Sequence, residues 1–155
     1  MSDTSMKYRP LRLLEILLLL AFVIGYGSAA YQRNIVWKDD LSLWSDNAQK
    51  APSKARVYQY LGLSFYKAGN VDEAIKQYRK GLALDPYFVD LHNNIGVSYS
   101  DKGLVDEAIR HFKTAIELDP SHANAHYNLG VAYGNKGLFT LANEEMRKGM
   151  ALEKP

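Results

Sequence analysis

The most regular feature of the chain is a 34-residue period of apolar and glycine positions that begins at Ala55. Three segments align at this spacing without gaps, and they start at Ala55, Val89 and Ala123. In each segment a large apolar residue stands directly before a glycine; an aromatic residue, a second glycine, an alanine and another large apolar residue follow in the same order. A fixed period of this length is typical of stacked supersecondary units. It predicts three helical hairpins, over residues 55–88, 89–122 and 123–155.

The second segment shows why each position carries its residue type. Gly103 follows the first predicted helix, where glycine adopts the left-handed conformation at low cost. Asp106 and Glu107 open the second helix, where carboxylates meet the positive end of the helix dipole, so we interpret them as a helix start rather than a catalytic pair. Gly96 is small because the two helices of a hairpin cross there. Pro120 ends the second helix because proline cannot continue it.

This set of positions resembles the tetratricopeptide repeat (TPR) family over residues 55–155. The departures are mild, since Tyr58, His92 and His126 stand where the family usually has tryptophan, and Met146 replaces an aromatic residue. The resemblance implies an all-α fold, a TPR α-solenoid in which helical hairpins form a right-handed superhelix. The first helices would make its concave face. It also implies a non-enzymatic scaffold that binds other proteins or extended peptide segments.

An apolar run without charged residues, from Ile16 to Tyr31, precedes the repeats. With its flanks it predicts one long hydrophobic helix over residues 13–34, close to the roughly 20 residues that span a bilayer. Three Lys or Arg residues precede the run and two follow closely. This count favours a cytoplasmic segment 1–12 and repeats on the extracytoplasmic side of the cytoplasmic (inner) membrane, with lipid contacting residues 13–31.

Two small residues in this segment, Gly25 and Ala29, share a face on which another membrane helix could pack closely. A cleaved signal peptide remains an alternative, because Ser28, Ala29 and Ala30 resemble a small-residue cleavage site. A third interpretation is a buried helix of a larger assembly.

The connector over residues 35–54 predicts a short helix, residues 39–51, that acts as a degenerate half-repeat and caps the stack. Trp44 lies eight residues before Pro52, as Tyr78 lies eight before Pro86. The string containing Arg33-Asn34, Trp37, Leu43-Trp44, Asp46, Pro52 and Arg56 is similar to the junction between the last membrane helix and the repeats in polytopic O-mannosyltransferase-like proteins. The many-helix catalytic region of those proteins has no counterpart here, so their activity is not implied.

Alignment with the family also implies which side chains line the partner-binding groove. Asn94 and Asn128 occupy the same repeat position, at which some relatives hold a peptide backbone with a ladder of asparagines, and Tyr60 interrupts that ladder. A side-chain amide can both donate to and accept from a peptide unit. The Lys/Arg clamp for acidic C-termini is missing. The implied groove residues are Arg56, Gln59, Leu63, Tyr66, Asp90, Asn93, Asn94, Val97, Ser100, Asn124, Tyr127, Asn128 and Val131.

The composition of the chain excludes several classes of site. The chain has 155 residues and no cysteine, which excludes thiol nucleophiles and Cys-ligated metals. Residues 35–155 carry 15 charges of each sign, so no basic patch for nucleic acid is expected. His122 and His126 have a spacing compatible with zinc, but His122 falls in an inter-repeat turn and His126 at a packing position, and we expect no nearby carboxylate to complete a site. We therefore predict no metal, cofactor or catalytic residues.

The final repeat ends without an obvious polar capping helix, so Trp44, Leu141, Met146 and Met150 are candidates for stacking against a neighbour. The leading hypothesis is a membrane-anchored TPR scaffold that also self-associates. One alternative is an extracellular, pilus-like filament subunit with head-to-tail repeats, because Leu11 to Glu15 and the following run loosely resemble a type IV pilin segment. The other is an accessory single-helix subunit of a larger membrane complex.

Overall fold

Consecutive α-helices make up the part of the chain that the computed structural model describes, residues 40–153. The first helix, α1, covers residues 40–50 within that range. Turns of three or four residues separate the six that follow. These helices are α2 (Ala55–Lys67), α3 (Val71–Leu84), α4 (Val89–Asp101), α5 (Val105–Leu118), α6 (Ala123–Asn135) and α7 (Phe139–Leu152). The predicted all-α solenoid of helical hairpins is confirmed for the described residues.

Each hairpin turns at a glycine in the left-handed region. Gly103 has φ +72°, and its N–H donates to the Ser100 carbonyl while the N–H of Leu104 donates to the Tyr99 carbonyl. These two hydrogen bonds satisfy carbonyl groups near the end of α4 that have no partner within the helix. Asp106 then stands in the first turn of α5, as the sequence predicts.

The two helices of a hairpin approach each other closely at a glycine. A Cβ atom added to Gly96 would lie 2.5 Å from Cε1 of Phe112, which is itself 1% exposed. Ala108, the small residue predicted for the same crossing, is completely buried. Small residues at this layer therefore let the aromatic ring of α5 pack directly on the backbone of α4.

The hydrophobic core is continuous from one hairpin to the next. Ala74 and Tyr78 of the first hairpin form one cluster with Leu91 and Ile95 of the second. A second cluster joins α5 to α6 and α7, and its buried members are Ala108, Ile109, Phe112, Leu129, Ala132, Tyr133 and Ala142. Each hairpin thus buries its second helix against the next first helix, which is how repeat arrays obtain stability.

Ion pairs also link neighbouring hairpins at the outer surface. Lys102 pairs with Asp72 of the preceding hairpin, and Lys136 pairs with Asp106 at 2.5 Å. The sequence predicts Asp106 only as a helix start, and the structure adds a link between repeats. Exposed ion pairs of this kind contribute little to stability. We therefore interpret them as helping to align neighbouring hairpins rather than as holding the fold together.

The connector helix packs on the first repeat. Trp44 of α1 stacks on Tyr60 of α2, with ring centroids 4.4 Å apart and an interplanar angle of 20°. The predicted span 39–51 agrees with the observed helix over 40–50. The predicted hydrophobic helix over 13–34, with Gly25 and Ala29, lies outside the described residues. No helix within residues 40–153 is long and apolar enough to cross a membrane.

Candidate functional site

The first helices of the hairpins form one layer. α4 contacts α2 on one side and α6 on the other, whereas the second helices α3, α5 and α7 make no direct contacts with one another among the described residues. Because the first helices are closer together, their outward surface lies on the inner side of the curved array. This surface, which we call the first-helix face, is the one to which the family resemblance assigns partner binding.

A row of aliphatic side chains follows the first-helix face. Leu63, Val97 and Val131 occur once per hairpin, 34 residues apart, and each is half-buried. Val97 also packs against the core cluster beneath it. The floor of the face is therefore apolar and is fixed to the core.

A hydrogen-bonded chain centred on Asp90 connects all three hairpins along one side of this floor. Gln59 Nε2 donates to Asp90 Oδ2 over 3.1 Å, and His122 Nε2 lies 3.1 Å from Asp90 Oδ1. The N–H of Ala125 donates to His122 Nδ1, so that nitrogen carries no proton and Nε2 is the donor to Asp90. Asp90 thus links Gln59 of the first hairpin to His122, the residue that caps the N-terminus of α6 in the third.

Two predicted groove asparagines differ in their free hydrogen-bonding capacity. Asn128 Nδ2 donates to Asn93 Oδ1 over 3.0 Å, and Asn93 is 9% exposed. The side chain of Asn94 makes no hydrogen bond to any residue of 40–153, and it is half-buried. The ladder position is therefore occupied internally in the third repeat and is free to bind a peptide unit in the second.

Tyr60, at the same repeat position, is the residue that stacks on Trp44. Tyr60, which interrupts the predicted asparagine ladder, therefore has a structural role: it packs the connector helix α1 against the first repeat, at the N-terminal end of the first-helix face. Trp44 was predicted to stack against a neighbouring subunit. The structure places one face of its ring against its own chain.

The remaining predicted groove residues lie around this floor. The Tyr66 hydroxyl donates to the Asp101 carboxylate. Burial, together with that hydrogen bond and the charge of Asp101, raises the pKa of Tyr66 to about 12. Arg56 and Asn124 are exposed, Tyr127 is 48% exposed, and Ser100 is half-buried.

A depression of about 580 Å³ lies at the rim of the face, where the turns between hairpins meet it. Arg56, Asp90 and His122 line it together with Phe88 and Tyr87, and Tyr87 is 76% exposed. No prediction singled out Tyr87. The only signal in the sequence was an aromatic residue where the other inter-repeat turns carry Ser53 and Ser121.

The two histidines with zinc-like spacing have separate partners. His126 Nδ1 lies 2.7 Å from Glu145 Oε2, and His126 Nε2 lies 3.1 Å from the Pro120 carbonyl. A carboxylate contacts each of them, because Glu145 lies against His126 and Asp90 lies against His122. Each carboxylate serves one histidine, and no group of three potential metal ligands occurs within residues 40–153.

The corresponding site in the second hairpin holds two histidines. His92 Nδ1 lies 3.3 Å from His111 Nδ1, and His92 Nε2 lies 3.1 Å from the Pro86 carbonyl. Because a carbonyl only accepts, His92 carries its proton on Nε2, and His111 donates to His92 Nδ1. Burial lowers the pKa of His111 to about 4, helped by the nearby positive charges of Arg110 and Arg79 and by His92.

The candidate stacking residues of the last repeat separate into two groups. Leu141 and Met150 of α7 are 42% and 57% exposed. Met146 is placed differently from the prediction. A Cβ atom on Gly130 would lie 2.6 Å from Met146 Cγ, so Met146 packs inside its own hairpin in the position of Tyr78 and Phe112.

Comparison with known protein families agrees with this architecture. The TPR repeat model matches residues 62–103 and 99–137, and a tetratricopeptide repeat model matches residues 123–154. Together the matches cover more than half of the chain. The chain belongs to the tetratricopeptide repeat family.

Solved TPR structures resemble the described fold. The crystal structure of MamA matches with a TM-score of 0.69 at 24% identity, over 76% of this chain and 68% of that chain. The second TPR of Spaghetti (RPAP3), bound to the HSP90 peptide SRMEEVD, matches with a TM-score of 0.64 at 28% identity, over 69% of this chain and 99% of that chain. YrrB, described as a TPR protein with an unusual peptide-binding site, matches with a TM-score of 0.67 at 23% identity, over 79% of this chain and 63% of that chain.

A curated relative is the protein O-mannosyl-transferase F38B6.6 of Caenorhabditis elegans, 30% identical over 84 residues. The match covers 54% of this chain but only 12% of the transferase. The predicted likeness to an O-mannosyltransferase TPR protein is confirmed as a partial sequence match of this extent. The TPR fold itself is typically a non-enzymatic scaffold for protein interaction.

Proposed function

We propose that this TPR protein is a membrane-anchored scaffold that holds an extended segment of a partner protein along its first-helix face. The observation that carries the proposal is the side chain of Asn94, an amide without an internal hydrogen bond, one helical turn from the half-buried Val97. Residues three apart on a helix share a face. The amide can bind a peptide unit while the aliphatic floor accepts a side chain.

The spacing of the hairpins suits an extended ligand. Packed helices lie about 8–10 Å apart, and an extended chain advances about 3.3 Å per residue. About every third residue of a bound segment would therefore meet a new hairpin and its aliphatic residue. Leu63, Val97 and Val131 would then contact small or apolar side chains at that interval.

The charges on the face disfavour an acidic peptide. The positions that would form a carboxylate clamp hold Gln59, Leu63, Asn94, Asn124 and Asn128, and Asp90 is exposed on the same surface. The peptide SRMEEVD, bound by the related TPR of Spaghetti, carries three acidic residues and a terminal carboxylate. The proposed ligand is instead an extended segment without an acidic terminus.

The direct test is a selection of peptides from a random display library on the full-length chain in detergent, followed by affinity measurement. Replacing Asn94→Ala should weaken the selected peptides about tenfold, as expected for loss of roughly 1–1.5 kcal/mol of hydrogen bonding. The matched control is Asn143→Ala, because Asn143 is an exposed amide on α7, away from the first helices. If both substitutions leave the affinity unchanged, the assigned face is wrong.

The anchor rests on the uncharged apolar run from Ile16 to Tyr31. We expect the chain to stay with membranes during alkaline extraction, and a double substitution Leu18→Arg and Leu19→Arg to release it. Protease added outside intact cells stripped of their outer layers should remove the repeats, because the proposed orientation places them outside the cytoplasm. Protection of the repeats would reverse the orientation.

The accessory-subunit and filament alternatives have less support from the described residues. Head-to-tail stacking would place the Trp44 helix of the next subunit on α7, where Thr140 and Asn143 replace Asp106 and Ile109, the residues with which α5 contacts the following hairpin. The accessory subunit is a case of the scaffold in which the partner is a membrane complex. Copurification of a stoichiometric membrane partner would favour it.

A further inference from the structure

The outer face of α7 differs from the faces that α3 and α5 present to the next hairpin. Ile75 and Ile109 are buried at these earlier interfaces, whereas the corresponding residue of α7 is the exposed Asn143. Asp106 pairs there with a lysine of the following hairpin, whereas α7 has Thr140 at that position. A further TPR hairpin docked on α7 would therefore lack both its isoleucine contact and its ion pair.

The same face is nevertheless suited to contact another surface. Phe139 and Met150 are 68% and 57% exposed, and a shallow depression of about 680 Å³ runs along the helix. Arg147 lines this depression and makes no ion pair or hydrogen bond with any residue of 40–153. An exposed aromatic residue, an exposed methionine and an arginine without a partner occur together on one helix.

These side chains form a pattern that is the same in both directions along α7. Thr140, Glu144, Arg147 and Ala151 follow one another at intervals of four, three and four residues, which places them in a single stripe. The midpoint of the stripe lies between residues 145 and 146. In an antiparallel pair of α7 helices centred there, each Thr140 lies opposite Ala151 of the other copy, and each Glu144 lies opposite Arg147.

We propose that α7 pairs with α7 of a second copy of this chain, antiparallel and about a two-fold axis. Arg147 receives the carboxylate of Glu144 from the second copy, twice by symmetry, at the centre of the contact. The small residues Thr140 and Ala151 allow close approach at its two ends. A two-fold contact of this kind uses the same surface on both subunits and closes after two copies.

Apolar side chains beside the stripe contact each other in the same two-fold arrangement. At 100° per residue, Phe139 and Met150 project from the same side of α7. In the antiparallel pair each Phe139 comes within about 3 Å, measured along the axis, of Met150 in the second copy. Sulfur and aromatic rings make favourable contacts, so the two most exposed apolar residues of the helix cover each other.

The length of the contact sets its strength. A helix of 14 residues is about 21 Å long, so the pair is at the small end of specific interfaces. The dimer is therefore weak and depends on concentration. It does not use the first-helix face, so it is independent of the proposed peptide binding.

Charge reversal tests the pairing by sedimentation velocity of the full-length chain over a range of concentrations in density-matched detergent. The wild type should dimerise, and Glu144→Arg or Arg147→Glu alone should weaken the dimer at least tenfold. The double reversal should dimerise more tightly than either single variant, because the opposite charges again face each other. Circular dichroism checks that the variants, all at exposed positions, retain their helices. A monomeric wild type, or a dimer that Glu144→Arg does not weaken, overturns the proposal.

Disulfide formation gives the orientation, since the natural chain has no cysteine. A mixture of Thr140→Cys and Ala151→Cys proteins should form a disulfide-linked heterodimer on mild oxidation. Each protein alone should remain uncrosslinked, because equal positions are about 16 Å apart along the axis in the antiparallel pair. Crosslinking of either variant with itself, or absence of the heterodimer, contradicts the antiparallel arrangement.

Discussion

Asn128 of the third repeat donates a side-chain N–H to the side-chain oxygen, Oδ1, of Asn93 in the second, over 3.0 Å. The acceptor side chain is buried, whereas Asn94, beside it in the chain, keeps its amide free. One asparagine of the first-helix face therefore holds two repeats together, and another is available to a partner. We expect Asn128→Ala to destabilise the fold by about 1 kcal/mol because it leaves Asn93 without its donor. Thermal unfolding followed by circular dichroism measures this loss, and an unchanged melting temperature would show that the bond contributes nothing.

The glycine at the helix crossing is predicted to tolerate no side chain. Gly96→Ala should destabilise the chain by roughly 1–3 kcal/mol, because its Cβ atom would overlap the ring of Phe112. Denaturant unfolding should recover part of this loss in the double variant Gly96→Ala with Phe112→Leu. Gly103 is a useful comparison, since a Cβ atom there meets nothing within 4 Å and an effect of about 1–2 kcal/mol comes from its positive φ alone. Equal losses for Gly96→Ala in the presence of Phe112 and of Leu at that position would disprove the steric explanation.

Acidification should destabilise the second hairpin through His111. Its pKa is about 4 in the folded chain and about 6.5 in the unfolded chain, so the unfolded chain binds more protons between these values. Stability is complete above about pH 6.5 and falls as the pH decreases to about 4, by less than the roughly 3 kcal/mol of the full shift because His111 is partly exposed and solvent screens its charge. Unfolding free energies measured across this range test the effect. His111→Gln, which introduces the residue that the first repeat carries at Gln77, should remove most of the slope.

Glu145 has a lowered pKa, so it affects stability at a lower pH than His111 and does not contribute to the slope assigned to His111. Burial alone would raise its pKa, but hydrogen bonds from Lys148 and His126 and their charges lower it overall. A carboxylate with a lowered pKa stabilises the fold above its unfolded value and loses that contribution only as the pH falls further. A slope that persists between pH 6.5 and 4.5 in the His111→Gln variant would assign the effect to another group.

Two adjacent glutamates of α7 should respond very differently to truncation. Glu145→Ala leaves Nδ1 of the buried His126 without its hydrogen-bond partner and is expected to cost about 1–3 kcal/mol. Glu144→Ala removes an exposed pair with Lys148, and at protein concentrations below those of the proposed dimer it should change stability by less than about 0.5 kcal/mol. Unfolding of the two variants under identical conditions provides the comparison. Similar losses for both would mean that His126 does not depend on Glu145.

The hairpins could be predicted because each of their defining residues acts within its own repeat. Gly103 turns the chain, Gly96 admits Phe112, and Pro120 stops α5, and each requirement leaves a residue type at a fixed position. Met146 is the exception among the predicted positions. Met146 packs against Gly130 of its own hairpin. Because Met146 aligns with Phe112 in the repeat, the sequence could have predicted this buried position.

The polar links between repeats could not be predicted as readily, because their partners lie 30 to 35 residues apart. The pairs of Asp72 with Lys102 and Asp106 with Lys136 share one spacing, so a search for recurring opposite charges would have found them. The contact of Asp90 with His122 occurs once and leaves no periodic signal. Whether Asn94 or Asn128 keeps a free amide depends on side-chain geometry that only the folded structure provides.

The most direct test of the scaffold function is photocrosslinking from the floor of the first-helix face in native membranes. A photoreactive amino acid at Val97 should capture a partner protein, and the same residue at Lys113, exposed on α5, should not. The account predicts a discrete crosslinked product from position 97 whose yield falls when Asn94→Ala is added. Equal capture from both positions, or none from position 97, would contradict partner binding on this face.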